Sequence, residues 1–351
     1  MKAAVFHGPR DVRVENVPDP KIKSPTDAII RITRAAICGS DLHPYHGGMP
    51  VLPGFVLGHE GVGIVEETGP AVLRLKKGQR VVVAACPACG DCFYCRRGQV
   101  SQCSETGSAT FGFGRNFAGR LGEVGGAQAE AICVPFADYT CYVLPESVDD
   151  ERAAFLADIL PTGFFGALNG DIRPGDTVAV FGCGPVGLCA VMAAGLFGPA
   201  EIIAVDGLPY RRELARKFGA TPVDLAEANR KILDATNGRG ADVCIEAVGS
   251  AAPLDAAFAN VRGGGTVSMV GVPGEPTYNF PISTAFMRDI TFRIGLANIR
   301  SHIPHLARLI EKGRLDPRPL VSHVLPLAET PRGYQIFDGH TEGAVKVLLK
   351  P

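Results

Sequence analysis

The sequence predicts an α/β protein of two domains, one a doubly wound parallel sheet and the other β-rich. Three observations predict it. Apolar strand and helix patterns alternate from Thr177 to Gly295, and short β-like runs separated by Pro and Gly turns occupy the first half. The 351 residues also exceed what one core organises at roughly 150 residues per domain.

In the first half, Val12–Val17, Ala28–Thr33, Gly61–Thr68 and Arg80–Ala84 read as strands, and the Gly-rich stretch Gly107–Gly126 reads as loop. Thr177–Ala200 then runs 24 residues without a charge, long enough to raise a membrane span. Its glycines argue otherwise: Thr177–Phe181 is a buried strand, Gly182, Gly184 and Gly187 make a tight turn, and Val186–Phe197 is an apolar helix. The alternation continues with Ile202–Val205 (strand), Arg211–Phe218 (helix), Asp242–Ala247 (strand), Ala251–Asn260 (helix), Thr266–Val270 (strand) and Thr291–Gly295 (strand). Such a βαβ series requires a parallel sheet covered by helices on both faces. The last 56 residues are too few for a domain of their own and are expected to return to the first, with Val345–Leu349 as a strand. The expected domains are therefore residues 1–150 with 296–351, and residues 151–295.

Composition removes several function classes. Hydrophobic residues make up 46% and charged residues 20%, which argues against disorder. Thirty-five Lys and Arg balance 36 Asp and Glu, so no basic field exists to hold a nucleic acid or an anionic membrane. The opening MKAAVFHGPRDVRVENV lacks the apolar core of a secretory signal, so a cytoplasmic chain is expected and its 11 cysteines are expected to be reduced thiols.

Gly182-Cys183-Gly184-Pro185-Val186-Gly187 matches G-x-G-x-x-G between an apolar strand and a helix, and Asp206 ends the next strand. Glycines there let the backbone approach a pyrophosphate, the helix N-terminus favours its charge, and the acid can bond a ribose diol. A carboxylate at Asp206 repels the extra phosphate of NADP, so NAD is expected. Arg211 and Arg212 could swing toward such a phosphate, but are expected to cover the adenosine edge or lie in solvent.

Cys86, Cys89, Cys92 and Cys95 recur every three residues and Cys103 follows, a spacing that suits four thiolates around a structural zinc. An iron-sulfur cluster is the weaker alternative, because the C-x3-C-P ending of the ferredoxin pattern is absent. Spacing alone leaves Cys86 and Cys103 competing for one position.

Cys38-Gly39-Ser40-Asp41-Leu42-His43 and Gly58-His59-Glu60 bring further donors to the first domain, and Asp158 stands between apolar residues before the second. Together they could form a second zinc site with a position left open. In family order, MKAAVF, C-G-S-D-x-H, G-H-E, C-x2-C-x2-C-x7-C, G-x-G-x-x-G and the acid after the second strand resemble the zinc-dependent alcohol dehydrogenases of the medium-chain dehydrogenase/reductase family, over essentially the whole chain.

The resemblance implies a Rossmann domain joined to a GroES-like catalytic domain, and two zinc ions per subunit. It implies Cys38, His59 and Asp158 as catalytic zinc ligands, with Glu60 beside them, and Cys89, Cys92, Cys95 and Cys103 as structural zinc ligands. Ser40 and His43 would relay a proton, and Thr162 would lie near the nicotinamide. Pro185, Val186, Arg211, Val248, Val270, Gly295 and Ala297 complete the cofactor set, the last three around the carboxamide. Asp158 stands where the mammalian liver type has Cys, and Gly39 where it has Arg. An acid at this ligand is similar to prokaryotic secondary alcohol dehydrogenases and to the formaldehyde dehydrogenase or dismutase group. The expected reaction interconverts a small apolar or aromatic alcohol with its aldehyde or ketone, the metal acidifying the hydroxyl and NAD taking the hydride. Met49, Phe111, Phe164 and Leu296 are candidates to line the substrate cleft. The alternatives are a formaldehyde dehydrogenase or dismutase, a polyol dehydrogenase, and a catalytically silent zinc- and NAD-binding protein. A homo-oligomer is expected, a tetramer before a dimer.

Overall fold

A computed structural model describes residues 1–49, 51–107, 109–114 and 124–351, so part of the predicted loop Gly107–Gly126 lies outside the described residues. The strands of the first part are β1 (Lys2–Gly8), β2 (Asp11–Asn16), β3 (Ala28–Ile37), β4 (Phe55–Val56), β5 (Gly61–Thr68), β6 (Arg80–Val83), β7 (Ala131–Val134) and β8 (Cys141–Val143). Next come β9 (Thr177–Phe181), β10 (Glu201–Val205), β11 (Thr221–Val223), β12 (Ala241–Glu246), β13 (Val261–Met269) and β14 (Thr291–Ile294), and finally β15 (Val321–Pro326) and β16 (Lys346–Lys350). They fall in two compact units, Met1–Pro161 with Asn298–Pro351, and Thr162–Ala297.

The first unit carries a three-stranded sheet, β2-β1-β4, and a seven-stranded sheet in the order β15-β16-β3-β5-β6-β8, with β7 also on β3. β3 extends past Thr33 to Ile37 because β16 supplies a distant antiparallel partner, pairing Val347 with Ile37 and Leu349 with Ala35. Inward residues such as Ile30, Ile37, Val65, Val81, Ile132 and Val347 form one apolar cluster, each side chain contributing about 1.5–3 kcal/mol on burial. This core fixes the ends of β3 and β5, from which Cys38 and His59 project.

The second unit is a six-stranded sheet, β11-β10-β9-β12-β13-β14, with every pairing parallel. All five residues of β9 are buried, as a central parallel strand requires. The uncharged stretch resolves into β9, a turn and the ten-residue helix Pro185–Ala194, and among the described residues no helix is long and apolar enough to cross a membrane. β13 starts at Val261 instead of Thr266, because Val261 pairs with Ala241 before the register shifts at Asp242. From β9 the chain runs outward first through β10 and then, on the other side, through β12. That reversal opens a crevice at the carboxyl ends of β9 and β12, where α/β sheets bind ligands.

Candidate active site

Cys38 follows β3 and caps the short turn Gly39–Asp41, whose Asp41 Oδ2 accepts the Cys38 N–H at 2.9 Å. His59 precedes β5 and follows Gly58, which has a φ of +93°. Asp158 interrupts the chain between the turn Phe155–Ala157 and the helix Ile159–Asn169, at φ −152° and ψ −70°, which turns its carboxylate out of the helical path. Ligand atoms of Cys38, His59, Glu60 and Asp158 all lie within 4.8 Å of one another. Asp158 Oδ2 is 3.4 Å from Cys38 Sγ and 3.3 Å from His59 Nε2.

These separations test the fit of a metal. Zinc bonds of about 2.0–2.3 Å in a tetrahedron set donor–donor edges of about 3.3–3.8 Å. Sulfur, imidazole nitrogen and carboxylate oxygen are donors zinc accepts, and Cys38 and His59 are buried. The local field also suits a cation. Burial, then the charges of Glu60 and Asp158, push the Cys38 thiol up. Burial pulls His59 down, but Asp41, Cys38 and Asp158 outweigh it and hold the ring well above its ordinary range. Asp158 is held low despite its burial by its bond to His59.

Several supports carry no sequence motif. Lys346, on β16, is fully buried and ion-paired with Glu60 Oε2 while donating to Ile37 O at 3.1 Å. Among the described residues Glu60 Oε1 has no hydrogen-bond partner. A lysine inside the apolar run Val345–Leu349 was the one available signal for this pair. Asp41 lies in the quoted stretch but faces His59 Nδ1 at 3.2 Å, a role the stretch alone does not disclose. The Phe113 ring stacks on His59 at 5.3 Å between centroids. Phe111 instead is fully buried in the core of the first unit, which removes it from the candidate cleft residues.

Ser40 Oγ lies 3.2 Å from His59 Nε2 and 3.3 Å from Cys38 Sγ, at the edge of the donor set. His43 is half-buried and its ring is held below its ordinary pKa by desolvation and by His46. Among the described residues no hydrogen bond joins Ser40 directly to His43.

In the cysteine lobe, four of the five closely spaced cysteines come together. Cys89, Cys92, Cys95 and Cys103 converge within 4.8 Å, with Sγ–Sγ separations of 3.9 Å for Cys89–Cys95 and 4.0 Å for Cys92–Cys103. Cys86 lies elsewhere, 3.4 Å from Thr110 Oγ1 and within the field of Asp158 and His59. Burial opposes ionisation of Cys92, but the Cys95 N–H and the Ser104 hydroxyl and N–H bring its pKa down to about 5. Asn298 Oδ1 accepts from Ser101 N and Oγ at 3.2 and 3.0 Å, and Ser301 Oγ donates to Gly98 O at 3.0 Å, docking the lobe on the helix Ile299–Glu311.

In the second unit, Gly182 has φ +92°, Gly184 caps the helix Pro185–Ala194, and a Cβ on Gly187 would stand 1.7 Å from Gly182 O. Only glycine permits that approach, and it leaves the first N–H groups of the helix, at Val186 and Gly187, facing the loop. Asp206 Oδ2 accepts the Cys183 N–H and Oδ1 the Leu208 N–H, each at 2.7 Å. An Arg211 Nη1 lies 3.9 Å from where a Gly184 Cβ would be, beside this loop. Arg212 is committed to Asp206 O at 2.7 Å and to Asp224 at 2.8 Å. Val248 crosses Gly182, its Cγ2 2.4 Å from a Cβ built there, and Glu246 Oε1 accepts the Val248 and Gly249 N–H groups at 2.7 and 2.8 Å. Val270 and Ala297 are buried, Thr162 is partly buried, and Gly295 lies by Phe165. Phe164 packs on Phe197 at 5.8 Å, whereas Leu296 is 46% exposed and Met49 partly buried.

Comparison with known proteins adds an independent line. Residues 24–146 match the family model "Alcohol dehydrogenase GroES-like domain", and residues 185–312 match "Zinc-binding dehydrogenase". An uncharacterized zinc-type alcohol dehydrogenase-like protein, AdhB of Bacillus subtilis, is 39% identical over 379 residues, covering 100% of both chains. An alcohol dehydrogenase of Cupriavidus necator is 38% identical over 367 residues, covering 100% of this chain and 99% of its own. The solved structure of alcohol dehydrogenase TADH from Thermus sp. ATN1 superposes with a TM-score of 0.93 at 45% identity, covering 100% of this chain and 99% of that one.

Proposed function

Because the chain belongs to the zinc-dependent alcohol dehydrogenases of the medium-chain dehydrogenase/reductase family, we propose that it interconverts a small apolar or aromatic alcohol and its aldehyde or ketone with NAD(H). The observation that carries this reading is the Cys38–His59–Asp158 donor set, whose 3.3 and 3.4 Å separations match the edges of a tetrahedral zinc site. Cys38, His59 and Asp158 would hold the catalytic zinc, and Cys89, Cys92, Cys95 and Cys103 a structural one. Zinc would supply Lewis acidity toward the substrate oxygen, and the nicotinamide would exchange the hydride.

The protein's own groups do the rest. Ser40 stands beside the donor atoms as the first proton acceptor. His43, held below its ordinary pKa, is neutral at pH 7 and can take the proton onward once a hydroxyl or water bridges it to Ser40. The Glu60–Lys346 pair adds no net charge, so a divalent ion held there would be balanced by Cys38, as a thiolate, and Asp158. Phe113 supplies an aromatic wall over His59, which supports an apolar substrate. Gly182, Gly184, Pro185, Val186 and Gly187 would cradle the pyrophosphate, with Asp206 on the ribose and Arg211 at the adenosine edge. Val248, Val270, Gly295 and Ala297 would border the nicotinamide, with Thr162 near it.

A homo-oligomer belongs to the same proposal. β14 is the last strand of its sheet, and near it Ile282, Phe286 and Met287 are 70, 83 and 80% exposed. An open strand edge beside exposed apolar side chains suits a second copy of the chain.

The test combines metal analysis with reduced-nicotinamide absorbance over a panel of alcohols, aldehydes and ketones. Two zinc ions per subunit and turnover with NAD are expected, and Asp158→Ala should lose one zinc and most activity. Full zinc with unchanged turnover in Asp158→Ala would remove it from the ligand set. No turnover despite two zincs and bound cofactor would favour a silent binding protein.

A further inference from the structure

Behind His59 runs a chain of buried polar groups reaching the C-terminal helix Thr330–Asp338. Tyr334, Gln128 and Asp41 are all fully buried. The Tyr334 hydroxyl donates to Gln128 Oε1 at 3.1 Å, and Gln128 Nε2 donates to Ala36 O at 3.1 Å and to Asp41 Oδ2 at 3.3 Å. Asp41 Oδ2 also receives the Cys38 N–H, and Asp41 Oδ1 faces His59 Nδ1 at 3.2 Å. Both atoms are buried, and neither has a hydrogen-bond partner among the described residues, so each is the other's nearest available complement.

Donor and acceptor chemistry allows this chain one arrangement. A flipped Gln128 amide would set its oxygen against the Ala36 carbonyl and the Asp41 carboxylate, so Nε2 must point at them and Oε1 at the tyrosine hydroxyl. Asp41, an acceptor, then requires the proton of His59 on Nδ1. With that proton on Nδ1, Nε2 is the nitrogen whose lone pair would be offered to a metal held by Cys38 and Asp158.

The space is built for Gln128. A Cβ on Gly58 would lie 2.4 Å from Gln128 Cγ, and one on Gly112 would lie 2.3 Å from Gly58 N. Gly58 in Gly58-His59-Glu60 is thus the residue that lets the amide pass behind the histidine. An apolar side chain could fill this volume; an amide whose nitrogen and oxygen are both engaged does more than fill it.

We propose that Gln128 and Tyr334 are positioning residues for His59, acting through Asp41 to fix the ring's orientation and its tautomer. This rests on the reading of Cys38, His59 and Asp158 as a metal site. Outer partners of a ligating histidine are generally worth 10- to 100-fold in metal affinity.

The experiment uses the full-length protein and the variants Gln128→Met and Tyr334→Phe. Three quantities are measured: metal release to a chelator, the visible spectrum after cobalt substitution, and the melting temperature. In Gln128→Met one of the two metals should leave about tenfold faster or more and the cobalt bands should shift, while the cysteine-lobe metal keeps its native rate as an internal standard. Tyr334→Phe, which removes only a hydroxyl, should change the same quantities in the same direction by less, and it keeps the test valid if Gln128→Met does not fold. Native release rates and cobalt bands in both variants, with only a lower melting temperature, would overturn the proposal. A native protein that binds metal at the cysteine lobe alone would overturn the catalytic-metal reading instead, which the same release assay distinguishes.

Discussion

Asp206 follows β10 with both carboxylate oxygens held by backbone N–H groups and with 8% of its surface exposed, so it cannot swing away from an arriving phosphate. Arg212 is bonded to the Asp206 carbonyl and to Asp224, and Arg211 lies beside the Gly184 turn, where its charge would offset part of any repulsion. At a separation of about 4 Å and an effective dielectric of about 20, a carboxylate opposes each unit of phosphate charge by about 4 kcal/mol, close to a thousandfold. Allowing for partial relief by Arg211, NAD should be preferred over NADP by about 100- to 1000-fold in kcat/KM. Asp206→Asn removes the charge at nearly constant shape. It should raise kcat/KM for NADP about tenfold or more and lower that for NAD several-fold, because a carboxylate accepts a ribose hydroxyl bond more strongly than an amide does. Initial rates at varied NAD and NADP with saturating alcohol measure both. A native ratio below about ten, or the same ratio in Asp206→Asn, would refute the reasoning from charge.

Three further outcomes follow from contacts elsewhere. Lys346→Met leaves the Glu60 carboxylate buried without its partner and should cost about 3–5 kcal/mol in urea unfolding, part of which Glu60→Gln in the same chain should recover; a loss below about 1 kcal/mol would show that the pair is not the support described. Burial works against ionisation of Asp242, yet bonds from Arg262 at 2.6 Å and the Thr177 N–H at 2.8 Å hold its pKa below the ordinary carboxylate value. Its contribution is therefore complete above the unfolded pKa of about 4 and lost as pH falls through the lower folded value, so the deficit of Asp242→Asn, about 1–3 kcal/mol at neutral pH, should shrink in acid; a deficit constant down to about pH 2 would contradict this. Phe286→Asp with Met287→Lys should give a smaller species by light scattering, and an unchanged mass would move the proposed contact away from these side chains.

Most of the parallel sheet was legible because those strands declare themselves locally, whereas its edge strand β11 (Thr221–Val223) was missed. β9, β10, β12 and β14 are short apolar runs bounded by glycine or charged residues, and their predicted limits hold to within a residue or two. Elements that depend on a distant partner were not. β3 reaches Ile37 only because β16 lies along it more than 300 residues later, and β13 begins early only because Ala241 meets Val261. β1 was missed as a strand because its buried residues include Ala3 and Ala4, too small to give an apolar alternation. Phe111 and Phe113 show the same limit for side chains: two aromatics two residues apart, one in the core and one on His59, are not distinguished by composition.

The same division of local from distant runs through the candidate site, and it follows from what each kind of residue must do. Metal donors have to converge on a point, and short loops do this cheaply, so Cys89, Cys92 and Cys95 announce themselves by spacing. Spacing alone did not separate Cys103 from Cys86; the family resemblance favoured Cys103, and the fold brings Cys103 beside the other three while Cys86 lies by Thr110. The groups that hold the donors have to resist displacement, and they do so best from separate, independently anchored elements: Asp41 from the turn after β3, Gln128 ahead of β7, Tyr334 from the C-terminal helix and Lys346 from β16. No spacing rule links residues 41, 128, 334 and 346. What marks them is chemistry out of place, a lysine in an apolar strand and a glutamine and a tyrosine hydroxyl with no access to water, and burial becomes visible only once the chain is folded. Spacing therefore discloses which atoms could touch a metal, whereas the unmarked residues decide how rigidly those atoms are held.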